Sequence, residues 1–252
     1  ETHPWVFFPI IAFSDENDPS YGAGARTMDA LGTGIQAGAS ARFGGQDRVS
    51  VYARNPFITG NHLGVGVALS WGKRENVLNG FNEETLTGAL GVSSHIGDHG
   101  RLAGTFTLES LESDEDGRTL DPSNKDVMPT LAASVGFDDR DVYTNTTRGW
   151  WNELEIAWTG GDADYWTFIF DVRRYQPLRE RHVLFFSSLM SLRTGEVGVD
   201  IPIYHDYRFG GRNSIRGWEI NQRRGKNQFI NSIEYRYAAI PLRAVKILGW
   251  RL

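Results

Sequence analysis

The chain has 252 residues, 40% of them hydrophobic, 23% charged and 12% aromatic, with 29 Gly, 8 Trp, no Cys and a net charge of -5. Glycine without a three-residue period excludes collagen, the apolar content excludes disorder, and the absence of Cys excludes disulfides, thiolate nucleophiles and Cys-type zinc sites. An acidic balance with no Lys/Arg run argues against nucleic acid as a partner, and without an apolar run of about 18 residues no transmembrane helix is available.

Glu1 to Trp5 lack the basic-then-apolar order of a signal peptide. The chain is therefore expected to be mature, or cut from something longer. A period of two begins at 5 to 13, with Pro9 in the middle; Pro cannot donate to a ladder, so this segment suits a sheet edge. Further strands are predicted near 20 to 29, 34 to 43 and 48 to 54. In 63 to 72, Leu63, Val65, Val67, Leu69 and Trp71 oppose Gly64, Gly66, Ala68, Ser70 and Gly72. After a strand near 86 to 96, the segment 101 to 111 sets Leu102, Phe106 and Leu108 against Thr105, Thr107 and Glu109. Beyond 128 to 138, the segment 150 to 158 opposes Leu154, Ile156 and Trp158 to Glu153 and Glu155. The split is cleanest in 164 to 175, where Trp166, Phe168, Phe170 and Val172 oppose Thr167, Asp171 and Arg173. Strands near 182 to 193, 228 to 239 and 244 to 252 complete the pattern.

A soluble sandwich also alternates, so alternation alone does not choose between a soluble core and a lipid-facing barrel. Three features favour the barrel. Strands run to about ten residues, about twice the usual soluble length. Trp5, Trp71, Trp150, Trp151, Trp158, Trp166 and Tyr237 sit at strand ends, where interfacial girdles occur. The longest connections, 112 to 127 and 194 to 227, and also 73 to 85, follow odd strands and so share one side. The expected fold is an all-β, antiparallel, up-and-down transmembrane β-barrel, with residues 1 to 252 forming one domain. About thirteen strands is an odd count, whereas bacterial single-chain barrels are even. The segment 244 to 252 stops without a closing strand, so the barrel is expected to be incomplete at its C-terminus.

No nucleophile elbow, Walker loop or supported Ser/His/Asp set is present, so the chain is not expected to be an enzyme and no cofactor is implied. His95 and His99 have the spacing of a helical metal pair, but a strand and its turn hold them. The acidic run Asp15, Glu16 and Asp18 lacks the order of an EF-hand and reads as a solvated loop. No metal site is expected. Glu109, Glu153, Glu155, Asp171 and Arg173 read as ordinary lining of the lumen.

One long connection carries more information. Within 194 to 227, the run Phe209, Gly210, Gly211, Arg212, Asn213, Ser214, Ile215, Arg216, Gly217, Trp218 resembles the signature of the outer-membrane barrel-assembly superfamily, a Gly-Gly turn followed by Val/Ile-Arg-Gly-Phe/Tyr. That family includes BamA-like insertases, two-partner-secretion transporters, surface-antigen barrels and the barrels of certain patatin-like secreted lipases. Asp138, Asp139, Arg140 and Asp141, followed by Thr147, Arg148 and Gly149, resemble its periplasmic turn between the eighth and ninth strands. Ile215 fits the Val/Ile position, and Trp218 is a conservative departure from Phe/Tyr.

The resemblance implies a barrel of sixteen strands in the outer membrane, Gram-negative bacterial or organellar. Its partners would be the lipid bilayer and client polypeptides or accessory assembly proteins, and it would insert or translocate polypeptides. Periplasmic POTRA repeats normally precede such a barrel. The alternative is a passive pore, or the carrier barrel of a patatin-like lipase. The loop at about 194 to 227 is expected to fold inward and dock Arg216 on an acidic residue of the wall. Arg216 offers a planar fork suited to a carboxylate. In the strand at 228 to 239, Ile233 and Tyr235 should face lipid while Ser232, Glu234 and Arg236 face the lumen, which makes Glu234 the available partner.

Overall fold

The computed structural model describes residues 5–13, 18–59, 63–210, 215, 217–219, 221–238, 246–247 and 250–251. It contains a 12-stranded antiparallel sheet in which each strand pairs with its neighbours in sequence. The strands are β1 (Val6–Ala12), β2 (Ser20–Thr27), β3 (Gln36–Gly44), β4 (Gln46–Thr59), β5 (Leu63–Asn76), β6 (Phe81–Ile96), β7 (Gly100–Ser113), β8 (Lys125–Asp138), β9 (Gly149–Thr159), β10 (Tyr165–Arg179) and β11 (His182–Arg193). The short β12 (Tyr207–Phe209) and β13 (Arg223–Gly225) pair inside the long connection, and β14 (Gln228–Tyr237) then joins the sheet beside β11. β1 and β14 are the edges. This is the predicted up-and-down barrel wall.

Residues 244 to 252 are expected as one further strand. Their described residues instead form two short strands, β15 (Lys246–Ile247) and β16 (Trp250–Arg251), with Lys246 opposite Arg251 and Ile247 opposite Trp250.

Alternation sorts the side chains as the period of two requires. Phe106 is opposite Leu131, Leu131 opposite Trp158, Trp158 opposite Trp166, and Phe170 opposite Leu154. All of these are exposed on the outer face. On the β9–β10 hairpin, Trp158 and Trp166 mark one end, while at the other the Arg174 guanidinium lies 4.7 Å over the Trp150 ring. The inner face carries Glu109, Glu153, Asp171 and Glu234.

Strand boundaries differ most from expectation in two places. β4 continues past Pro56 to Thr59 with a register shift between Asn55 and Thr59, because an irregularity absorbs the missing donor of Pro56. The predicted 73 to 85 connection shrinks to a turn at 77 to 80. There β5 and β6 run on as a ladder held by Arg74–Glu83, and Asn76 Nδ2 donates to Glu83 Oε2 at 2.8 Å. Charge on both faces conceals strand from a hydrophobic pattern.

Buried apolar residues gather inside one end of the sheet. Phe81, Leu111, Met128 and Tyr165 from the wall enclose Ile201 and Tyr204 from the long connection.

Candidate functional site

The connection from β11 to β14 meets the inner wall through a short run of residues. Gly195 (φ 78°) and Gly198 (φ 85°) turn the chain, and Ile201 follows with no exposed surface. A 3-10 turn at Ile203–His205 then points two side chains at the sheet. Tyr204 Oη donates to Asp126 Oδ2 at 2.6 Å, while Asp126 also accepts from the Leu120 and Asp121 amides, each at 2.9 Å. Burial first, and then the Asp126 carboxylate, pushes the Tyr204 phenol far above its ordinary value. It therefore stays a donor.

His205 is held from both ring nitrogens, with Nε2 at 3.0 Å from Glu109 Oε1 and Nδ1 at 2.8 Å from Tyr165 Oη. An ionised carboxylate only accepts, so Nε2 carries a proton. The Arg193 guanidinium donates to the His205 carbonyl and stacks 4.0 Å from the Tyr207 ring. Further on, Arg208 Nη2 donates to Asn76 Oδ1 at 3.2 Å, and Arg224 Nη1 to Asn79 Oδ1 at 2.9 Å. The connection thus touches β7, β8 and β10, and also the far end of β5. These groups hold the chain against the wall.

In the motif itself, Gly210 has φ 120° and a Cβ there would collide with the Glu219 carbonyl. Gly217 has φ 85°, and the Trp218 amide donates to the Ile215 carbonyl at 3.3 Å. Ile215 and Trp218 are both exposed. Gly211 and Arg216 lie outside the described residues, and so does the expected pair between Arg216 and Glu234. Glu234 sits on the inner face of β14, opposite Phe185, with Arg236 Nη2 at 3.2 Å from its Oε2. The Arg236 guanidinium covers the Phe185 ring at 4.7 Å.

The turn between β8 and β9 is built by its carboxylates. Arg140 forms a two-pronged pair with Asp138, both distances being 2.7 Å, and lies 5.0 Å over the Tyr143 ring. Asp139 accepts from the Trp150 amide. Asp141 Oδ1 accepts from the amides of Val142 (2.9 Å), Thr147 (2.9 Å) and Arg148 (3.3 Å). Burial acts against the ionised Asp141, yet the bonds from Thr147, Arg148 and Val142 outweigh it and bring the carboxyl down to about 2. Gly149 has φ 113°, and a Cβ there would stand 2.6 Å from the Asp139 carbonyl oxygen. Asp139, Arg140, Asp141, Arg148 and Gly149 therefore converge on one turn.

Sequence reasoning misses Tyr204, His205 and Arg208, and it treats Glu109 as lining alone. Their partners lie 78, 96 and 132 residues away along the chain. The available signal is the aromatic and basic run 204 to 208, in a connection otherwise read only through its glycine motif.

The family model of the Omp85 superfamily domain matches residues 29–249. Among solved structures, BamA from Haemophilus ducreyi lacking POTRA domains 1-3 superposes with a TM-score of 0.71 at 17% identity, covering 88% of this chain and 47% of that one. CdiB from Acinetobacter baumannii gives a TM-score of 0.60 at 13% identity, covering 94% of this chain and 47% of that one. At these identities the likeness is one of fold. The chain spans about half the length of each.

Proposed function

Because the chain belongs to the Omp85 superfamily, we propose that it is the barrel of an outer-membrane protein that inserts or translocates polypeptides, with the 194 to 227 connection folded into its lumen. The reading is carried by the contacts of Tyr204 with Asp126, His205 with Glu109 and Arg208 with Asn76, which tie the motif-bearing connection to the inner wall. Client polypeptides and accessory assembly proteins are its partners, the outer membrane its location, and no cofactor takes part. An unpaired strand edge is a template for an incoming strand, and in this reading the first strand of the barrel, β1, is the one that offers it to a client. Arg216 docks on Glu234, giving the connection a fixed place against the wall.

Two experiments on the full-length protein test this. Cysteines placed along β1 should crosslink to client strands during assembly or secretion. Equal absence of crosslinks along the whole strand in an active protein would favour a passive pore or carrier barrel. Arg216→Ala, Glu234→Ala and the double variant should give non-additive losses of activity and of loop protection from protease. Strictly additive losses would reject the docking.

A further inference from the structure

Among the described residues, the inner faces of β3 and β4 carry an arginine pair that no carboxylate answers. Arg42 and Arg48 are direct cross-strand partners, which places their Cβ atoms about 5 Å apart on one face. Like charges in that position destabilise a ladder. Among the described residues neither arginine forms a salt bridge. Arg42 Nη2 donates to Gln46 Oε1 at 3.0 Å, but its Nε is buried without a hydrogen-bond partner. The nearby carboxylates are engaged elsewhere. Glu83 takes Arg74 and Asn76, and Asp47 Oδ1 accepts from the Gly44 amide at 3.0 Å.

Beside the pair is a space with donors on its far wall. Arg48 faces Gly72 across the β4–β5 ladder, and a Cβ on Gly72 would meet only the Asp47 carbonyl, at 3.5 Å. Next to Gly72, the register places Ser70, Thr85 and Thr87 on the same inner face. Together these residues line a cavity of about 230 Å³.

We propose that this cavity is a binding site for an oxyanion, a carboxylate or phosphate held between Arg42 and Arg48. A guanidinium fork matches the two oxygens of such a group, the hydroxyls supply further donors, and one bound negative charge removes the repulsion between the arginines. The volume suits a phosphate ion or an acidic side chain and is below that of a drug-sized ligand. The site stands on β3 to β6 alone. Which source reaches it rests on the lumen reading above, since an acidic residue of a polypeptide inside the barrel and free phosphate present the same chemistry.

The test is calorimetric titration of the full-length protein in an uncharged detergent at low ionic strength, first with inorganic phosphate and then with a hexaglutamate peptide. At least one should bind saturably. Arg42→Gln/Arg48→Gln should weaken that binding by about tenfold or more, while Arg54→Gln on the same strand should leave it unchanged. Without added anion, the double variant should melt no lower than the parent, because a purely structural pair would lower it and this pair repels. If the double variant fails to fold, Arg48→Gln, an exposed position, makes the same comparison. Phosphate alone binding assigns the site to the free ion, and the peptide binding assigns it to acidic side chains. Binding of neither, or equal binding by the variants, would overturn the proposal. Absence of translocation activity in the full-length protein, with anion binding intact, would count against the translocation reading and leave this site standing.

Discussion

Two stretches of the inner face obey the same alternation and end in opposite states. Along β7 to β10 the polar side chains are met by others: Glu109 by His205, Asp126 by Tyr204, Asp171 by Arg173, and Glu153 by Arg101. Along β2 to β5 the face is lined by glycines, and rings lie on them. Phe8 covers Gly24, Tyr52 covers Gly38, and Arg42 and Arg48 stand side by side. The first stretch is a wall completed by a distant segment. The second completes itself with rings laid flat and keeps charge in reserve. Period two decides which residues face inward and says nothing about what they will meet there.

The comparison breaks most visibly at Asp126. Asp126→Ala strands the buried Tyr204 hydroxyl and the half-buried Leu120 and Asp121 amides, at a cost of roughly 3 to 5 kcal/mol at about 1 to 3 kcal/mol per unsatisfied group. The 194 to 210 region should become accessible to protease while the strands of β2 to β5 keep their amide protection. Hydrogen exchange reads both in one experiment. Uniform loss of protection over the sheet would show that the two stretches are not independent.

On the other stretch, Gly38→Val should cost about 1 to 3 kcal/mol by displacing the Tyr52 ring. An ideal Cβ at Gly38 stands 2.6 Å from that ring. Its effect should stay local, with the contacts of Tyr204 and His205 unchanged. Measured melting points for Gly38→Val with and without Tyr52→Ala sharpen the point, since removing the ring should rescue the valine.

A smaller effect is expected where a charge pair remains wet. Arg101 reaches Glu153 across Gly136 at 2.9 Å, but its side chain is 48% exposed, so Glu153→Gln should cost about 0.2 to 1 kcal/mol in chemical denaturation. A loss much larger than this would mean that the lumen screens less than water does.

A last effect, confined to one turn, depends on pH. Asp141 has its folded value depressed to about 2 from 3.8, so its contribution to the β8–β9 turn is present in full above about pH 4. It is lost as pH falls toward about 2. Amide exchange at Thr147 and Arg148, corrected for the intrinsic rate, should follow that window. Asp141→Asn should remove the dependence.

These differences also explain what the sequence makes legible. β10 could be read residue by residue because Trp166, Phe168, Phe170 and Val172 never trade faces with Thr167, Asp171 and Arg173. The end of β5 could not, because Lys73, Arg74, Glu75 and Asn76 are polar on both faces and the ladder there is held by charge. The glycines of the motif and of the β8–β9 turn were legible as types, and Gly149 and Gly210 do occupy conformations that favour glycine. Tyr204 and His205 were not, since each acquires its role from a residue nearly a third of the chain away or more.

The β9–β10 hairpin sets a length. From the Trp158–Trp166 pair to the Trp150–Arg174 pair, the outer face advances eight residues, or about 26 Å along a strand at roughly 3.3 Å per residue. Tilted by about 40°, that is a span near 20 Å, shorter than the apolar band of about 25 Å usual in outer-membrane barrels. If the tryptophans on both ends sit at the headgroup level, lipid beside this hairpin must thin by several ångströms, and neighbouring acyl chains must tilt or shorten to meet the protein. The spacing of four aromatic and basic residues on one hairpin thereby becomes a mechanical property of the surrounding membrane.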